Sequence, residues 1–219
     1  MNRRNPANLH RFSASWREAG LTADPAPVLA ELVQRHQEPG RHYHTLEHVN
    51  AVLDQLEAAR GKLEHPADAE LAVWFHDAIY HPARHGNEQQ SAALAREHLV
   101  TAGAPEAQIG RVARMILDTR HQEPAGSPDG ALVADADLAI LAAEPGDFHA
   151  YERAIRREYS HLTDAEFSAG RRQFVAAMLG RPQIYQTASF TQFEPLARAN
   201  LNRSLSRLLT RPGASPGAS

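Results

Sequence analysis

The sequence predicts one all-α domain. Apolar residues recur at helical spacing in nearly every segment. No alternating strand pattern of any length appears, and Pro and Gly cut the chain into helix-length blocks. There is no internal repeat and no linker long enough to argue for two domains. Residues 1–210 therefore read as a single domain, followed by a Pro/Gly/Ser-rich tail, 211–219, expected to be disordered.

Taken in order, Asn8 to Ala19 puts Leu9, Phe12, Trp16 and Ala19 on one face, and Gly20 ends it. Asp24-Pro25-Ala26-Pro27 opens a second helix with Val28, Leu29, Leu32 and Val33 inward and Gly40 as its stop. Thr45 to Ala59 forms the third, striped by Leu46, Val49, Val52, Leu53 and Leu56. Pro66-Ala67-Asp68 starts a fourth, which Pro82 closes, and 81–86 is a polar loop. Asn87 to Gln90 caps a fifth that runs to Gly103, and Pro105 starts a sixth that runs to about His121. After a Pro/Gly-rich loop, Ala131 to Leu141 is apolar but interrupted by Asp135 and Asp137. Phe148 to Tyr159, Ala165 to Leu179 and Phe193 to Leu209 complete the helices. An irregular turn follows Pro182, where Tyr185 and Phe190 read as packing residues, with a pocket wall that stacks a base as the alternative.

Composition excludes several classes. The chain has no cysteine, so disulfides and thiolate metal sites are ruled out. A net charge of −3 without a basic run argues against a nucleic-acid surface. No window approaches 18 uninterrupted apolar residues, and Met1 to Pro6 has no apolar region behind it. No membrane association is expected, and a soluble, cytoplasmic protein is. Oligomeric state is not legible. Thirteen His in 219 residues is a high count, which directs attention to imidazole chemistry.

Leu71 to Tyr80, LAVWFHDAIY, is the most informative stretch. It reads as an apolar helix carrying His76 and Asp77 in its middle. Burying a carboxylate costs several kcal/mol unless it is paired or binds a metal. An adjacent imidazole and carboxylate suit a borderline divalent ion such as Zn, Mn, Fe or Co. Upstream, His44 and His48 stand four apart, which on a helix places them on one face about 6 Å apart along the axis. An exposed His pair on an amphipathic helix has the same spacing. Downstream, Asp135 and Asp137 sit inside an apolar run. One of them suits a helix cap, but two suggest a buried carboxylate with a purpose.

His48, then His76-Asp77, then Asp137 resembles the HD superfamily of metal-dependent phosphohydrolases, which has a His, a later His-Asp doublet and a distal Asp in that order. Arg41-His42-Tyr43-His44, Phe75 to Tyr80, Asn87-Glu88, Thr119-Arg120-His121, Asp135 to Leu138 and Arg198 to Leu201 look like a bacterial group of predicted HD phosphohydrolases. The resemblance spans about residues 40–205. It implies an HD-type helical bundle with a metal centre between helices. It implies His48, His76, Asp77 and Asp137 as ligands, with Asp77 placed to bridge to a second ion where two bind. Asp135 competes with Asp137 for the distal position, and the resemblance favours Asp137, because the ligand Asp of that superfamily is typically followed directly by a helical apolar stretch. His44 sits where the cyclic-nucleotide phosphodiesterase branch has a proton donor, which makes it a candidate general acid. Thr45 and Asn50 depart from that branch's motif, so its specificity is not carried over.

The expected activity is hydrolysis of a phosphate ester of a small metabolite, a nucleotide or related compound, by metal-activated water. The metal expected is Mn, Fe, Co, Ni, Zn or Mg, as one ion or two. Glu88 is a candidate base, against a plain acid at a helix N-terminus. Arg41, Arg120, His121 and Arg198 are candidate substrate contacts, since a guanidinium matches a phosphate bidentately. His121 is also a candidate ligand for a second metal. Two alternatives stand: a di-iron oxygenase of the same superfamily, and a non-catalytic metal or nucleotide-binding module.

Overall fold

The computed structural model describes residues 6–210, with side chains from residue 10 onward. The side chain of Leu9 and the tail 211–219 lie outside what is described. All regular structure among the described residues is helical, so the chain is all-α. The chain divides into two compact units, Met1–Asp137 and Leu138–Ser219, described in turn.

The first unit contains α1 (Pro6–Glu18), α2 (Ala26–Arg35), α3 (Leu46–Ala58), α4 (Pro66–Phe75), α5 (Asn87–Thr101), α6 (Glu106–Asp118) and α7 (Pro128–Asp137). Its axis is α4, which packs against α1, α3, α5, α6 and α7. Every α4 residue from Ala67 to Phe75 is buried, as an apolar sequence without a polar stripe requires. Phe12 of α1 meets Trp74 edge to face at 5.3 Å. The two acids on α4 are neutralised. Asp68 accepts from Gln108 at 2.7 Å and from Arg111 at 2.9 Å, and Glu70 accepts from Ser15 and Arg60. At the helix start, Asp129 of α7 accepts from the backbone N–H groups of Glu64 at 2.8 Å and His65 at 2.9 Å. That bond ties α7 to the entry of α4.

Two sequence expectations change here, and both concern the site. The doublet does not sit in the middle of α4. The helix ends at Phe75, His76 is its C-cap, and Asp77 lies in the turn beyond. Pro82 is not what ends it. The carbonyls of Asp77 and Ala78 instead accept from the Arg41 guanidinium at 2.6 and 3.0 Å. Ser91 Oγ then takes the N–H of Ile79 at 3.0 Å. Similarly, His44 is not on the helix of His48. Thr45 is the N-cap of α3, extended at φ −116°, ψ 179°, and its side chain accepts from the Glu47 N–H.

His36, at the C-terminus of α2, is 1% exposed. Its Nδ1–H donates to the Leu32 carbonyl at 2.9 Å, and its Nε2 is buried without a hydrogen-bond partner. Burial, aided by the Arg41 charge and opposed by the Leu32 carbonyl bond, lowers its pKa to about 4. The unfolded chain binds that proton near the ordinary value of about 6.5. The stability that rests on the neutral ring is therefore complete above about pH 6.5. It is lost as pH falls toward the folded value, by about 3 kcal/mol in all. In urea unfolding at pH 7 and pH 4.5, His36→Leu is expected to lose less stability than wild type, by about 2–3 kcal/mol. Equal losses would show that the ring is not the acid-sensitive group.

The second unit contains a short 3₁₀ segment, Leu138–Ala142, then α8 (Pro145–Glu158), α9 (Asp164–Leu179) and α10 (Glu194–Thr210). A capping box of Thr163 and Glu166 starts α9. Buried Asn200 of α10 donates to the Leu141 and Ala143 carbonyls, both at 2.8 Å, which fixes the segment after Leu138. Tyr185 and Phe190 are buried and cluster with half-buried Phe193, and the Tyr185 hydroxyl donates to the Leu138 carbonyl at 3.1 Å. No helix among the described residues is long and apolar enough to cross a membrane.

Candidate metal centre

Four pieces of the first unit converge. His48 comes from the buried stripe of α3, and His76 and Asp77 from the end of α4. Asp137 comes from the last residue of α7, and His121 from the turn after α6. His48 Nε2 lies 3.1 Å from His76 Nε2 and 3.0 Å from Asp137 Oδ1. His76 Nε2 lies 2.9 Å from Asp77 Oδ2 and 3.6 Å from Asp137 Oδ1. His48 Nε2 lies 3.6 Å from Asp77 Oδ2. The two imidazole side chains are 3% and 2% exposed, whereas the Asp77 and Asp137 side chains are 15% and 17% exposed. The carboxylates thus form the more open edge of the cluster.

These atoms are electron-rich and face one another. The His76 Nδ1–H donates to the Val73 carbonyl at 2.8 Å, which is possible only with the proton on Nδ1. In its neutral form His76 therefore presents a lone pair from Nε2, aimed at a second imidazole nitrogen and two carboxylate oxygens. Such an arrangement requires a positive charge at its centre, supplied by a proton or a metal ion. Without metal the proton plays that part. Burial alone would lower the pKa of His76, but the Asp77 charge and the bonds with Asp137 and Asp77 raise it well above its ordinary value. Burial would raise Asp77, yet the His76 charge, then that of His44, holds it below the carboxylate range. Asp137 is held well below its ordinary value, against burial, by hydrogen bonds with His121, His48 and His76.

The geometry fits a metal ion. Ligand bonds of about 2.0–2.2 Å place neighbouring donors about 3.0 Å apart in an octahedron and about 3.4 Å apart in a tetrahedron. The distances above run from 2.9 to 3.6 Å. His48, His76 and Asp137 group together as donors that could hold one ion, and Asp77 Oδ2 lies beside them, against the two imidazole nitrogens. Asp135 is fully buried and is not one of these donors. On a helix, two residues apart means facing away.

No protein-family model, curated protein or solved structure matches this chain. The functional reading therefore rests on the residues and their arrangement.

His44 is beside the cluster by a different route from the one the spacing suggested. Its ring stacks on Tyr80 at 4.0 Å and 28°, and stands 5.8 Å from the His48 ring. Tyr43 lies against His48, with ring centroids 4.7 Å apart. Neither tyrosine was assigned a role from the sequence. Both lie within the motifs quoted above, Tyr43 next to the candidate acid His44 and Tyr80 three residues beyond the candidate ligand Asp77.

Arg41, a candidate phosphate clamp, is 9% exposed. Its Nε and Nη2 donate to Glu38, Nη1 to the His44 and Asp77 carbonyls, and Nη2 also to the Ala78 carbonyl. That accounts for all five of its N–H groups. Its place in the structure is the wall that shapes the Asp77 turn. Arg120 is exposed, with Nε donating to the Leu117 carbonyl at 3.0 Å. Glu88 is half-buried in the first turn of α5. Arg198 belongs to the second unit, where it binds Glu194 and the carbonyls of Leu179, Arg181 and Pro182. His121 is brought to the cluster, with Nε2 2.7 Å from Asp137 Oδ2.

Proposed function

We propose that this chain is a metal-dependent phosphohydrolase of the HD type, cleaving a phosphate ester of a small metabolite, a nucleotide or related compound. One observation carries the reading. His48, His76 and Asp137, distant in sequence, bring two imidazole nitrogens and a carboxylate oxygen together at ligand spacing, with the Asp77 carboxylate beside the two imidazoles. A divalent ion held there, one or two of Mn, Fe, Co, Ni, Zn or Mg, supplies activation of water and neutralisation of phosphoryl charge. The cysteine-free donor set leaves the choice among these ions to availability. Cytoplasmic location is part of this proposal.

The chain's own residues then have separate tasks. Val73 fixes the His76 tautomer through its carbonyl. Arg41 holds the backbone of Asp77. His44, half-buried and stacked on Tyr80, is placed to give a proton to the leaving oxygen. The reading is tested by hydrolysis of generic phosphate esters and a nucleotide panel with each metal. Metal-dependent turnover supports it, and no turnover with any metal overturns it.

His44 gives a finer expectation. His44→Asn should slow an alkyl phosphate, whose leaving oxygen needs a proton, by about 10²–10⁴-fold. It should slow 4-nitrophenyl phosphate, whose leaving group departs as an anion, far less. Equal losses on both would assign His44 a role other than general acid.

A further inference from the structure

His121 breaks a local rule. Its backbone is left-handed, φ 55°, and the other positive-φ positions among the described residues are glycines: Gly20, Gly40, Gly86 and Gly103. Gly20 and Gly103 follow α1 and α5, where a glycine ends the helix without a side-chain penalty. At His121 the chain makes the same kind of exit from α6, with the His121 N–H donating to the Asp118 carbonyl at 3.2 Å. Glycine adopts this conformation freely, and Asn, Asp and His enter it more often than other residues, though at a cost glycine does not carry. An imidazole there is strained, and such strain gathers where a side chain is needed. What the side chain does is visible. It is 11% exposed, and its Nε2 meets Asp137 Oδ2 at 2.7 Å while Asp137 Oδ1 faces His48 and His76.

We propose that His121 is a positioning residue for Asp137. It engages one carboxylate oxygen so that the other is aimed at the metal position, and the left-handed turn after α6 delivers its ring there. The inference rests on the metal reading above and assigns His121 a task different from ligand or substrate contact. Partners behind a ligand are typically worth about 10–100-fold in metal affinity.

The experiment compares wild type with His121→Ala, His121→Gly and His121→Asn, using Co²⁺ as the probe. Co²⁺ affinity and visible spectrum are measured on metal-stripped protein, along with its melting midpoint. Ala and Gly should bind about 10–100-fold more weakly than wild type, with the same stoichiometry and an unchanged Co²⁺ spectrum. Asn, which keeps a donor and accepts the backbone, should recover part of the affinity. Gly should melt about 2–4 °C above Ala, because only Gly relieves the turn. Wild-type affinity in Ala and Gly would overturn the inference and leave the metal reading standing. A changed spectrum with one ion fewer would make His121 a ligand and overturn the positioning role. Failure of wild type to bind Co²⁺ would remove the metal reading and this inference together.

Discussion

His76→Ala protein, stripped of metal and titrated with Mn²⁺ or Co²⁺, is expected to bind at least about 10²-fold more weakly than wild type, since even partners behind a ligand are worth 10–100-fold. Metal-dependent hydrolysis is expected to fall by at least as much. The reason is positional. His76 is the cap of α4, its Nδ1–H is tied to Val73, and its Nε2 is within 3.6 Å of all three other donors. Removing it also takes from Asp77 its largest counter-charge and from Asp137 one of its three imidazole partners, so the variant is weakened as a fold. Asp137→Asn is the matched control. It keeps shape, keeps an oxygen for His121 and removes one negative charge. It should fold, shown by an unchanged circular dichroism spectrum, and still bind metal and turn over much less than wild type. Wild-type behaviour in both variants would place the metal, or the activity, elsewhere.

Metal should stabilise the fold strongly, and more so at higher pH. An ion that binds only the native state at 1,000 times its Kd adds about 4 kcal/mol. For a chain of this size that is a rise of about 8–16 °C in melting midpoint. The pH dependence follows from His76. In metal-free protein its folded pKa is raised, so the stability from the protonated ring is present below about pH 6.5. That stability is lost as pH rises through the folded value. The depressed carboxylates Asp77 and Asp137 act in the opposite sense. Their contribution is present above about pH 4 and is lost as pH falls through their folded values. A metal must displace the His76 proton. Apparent affinity should therefore rise by up to about tenfold per pH unit between pH 6 and 8, with one proton released per ion at His76. Melting curves with and without Mn²⁺ at pH 6, 7 and 8 measure this. A metal-induced rise that is flat or shrinks with pH would contradict a protonated His76 at the centre.

Much of the helical architecture was legible because it follows local rules. Periodicity marked α1 through Phe12 and Trp16, and α3 through Val49, Val52, Leu53 and Leu56. The order His48, His76-Asp77, Asp137 was legible because each donor lies inside an apolar run where a polar group needs a reason. What was not legible depends on contacts across the chain. The turn after α4 is shaped by Arg41, 36 residues before Asp77, which no local signal near Ala78 reveals. For the same reason Arg41 read as a phosphate contact. Its fork geometry suits carbonyls in a turn as well as it suits phosphate, and only the fold distinguishes them. His44 read as a helical partner of His48 because i, i+4 spacing is shared by helices and by a cap turn that brings two rings near. His121 was not legible: α2 also stops at a His, His36, and only the left-handed backbone sets His121 apart.

The decisive measurement is a metal titration of the stripped protein by calorimetry, wild type beside His76→Ala, at pH 7.5. The expected result is stoichiometric binding of one or two divalent ions per chain with proton release in wild type, and binding weakened at least about 10²-fold in the variant. Absence of binding in wild type, or equal binding in both, would contradict a metal centre built from His48, His76, Asp77 and Asp137.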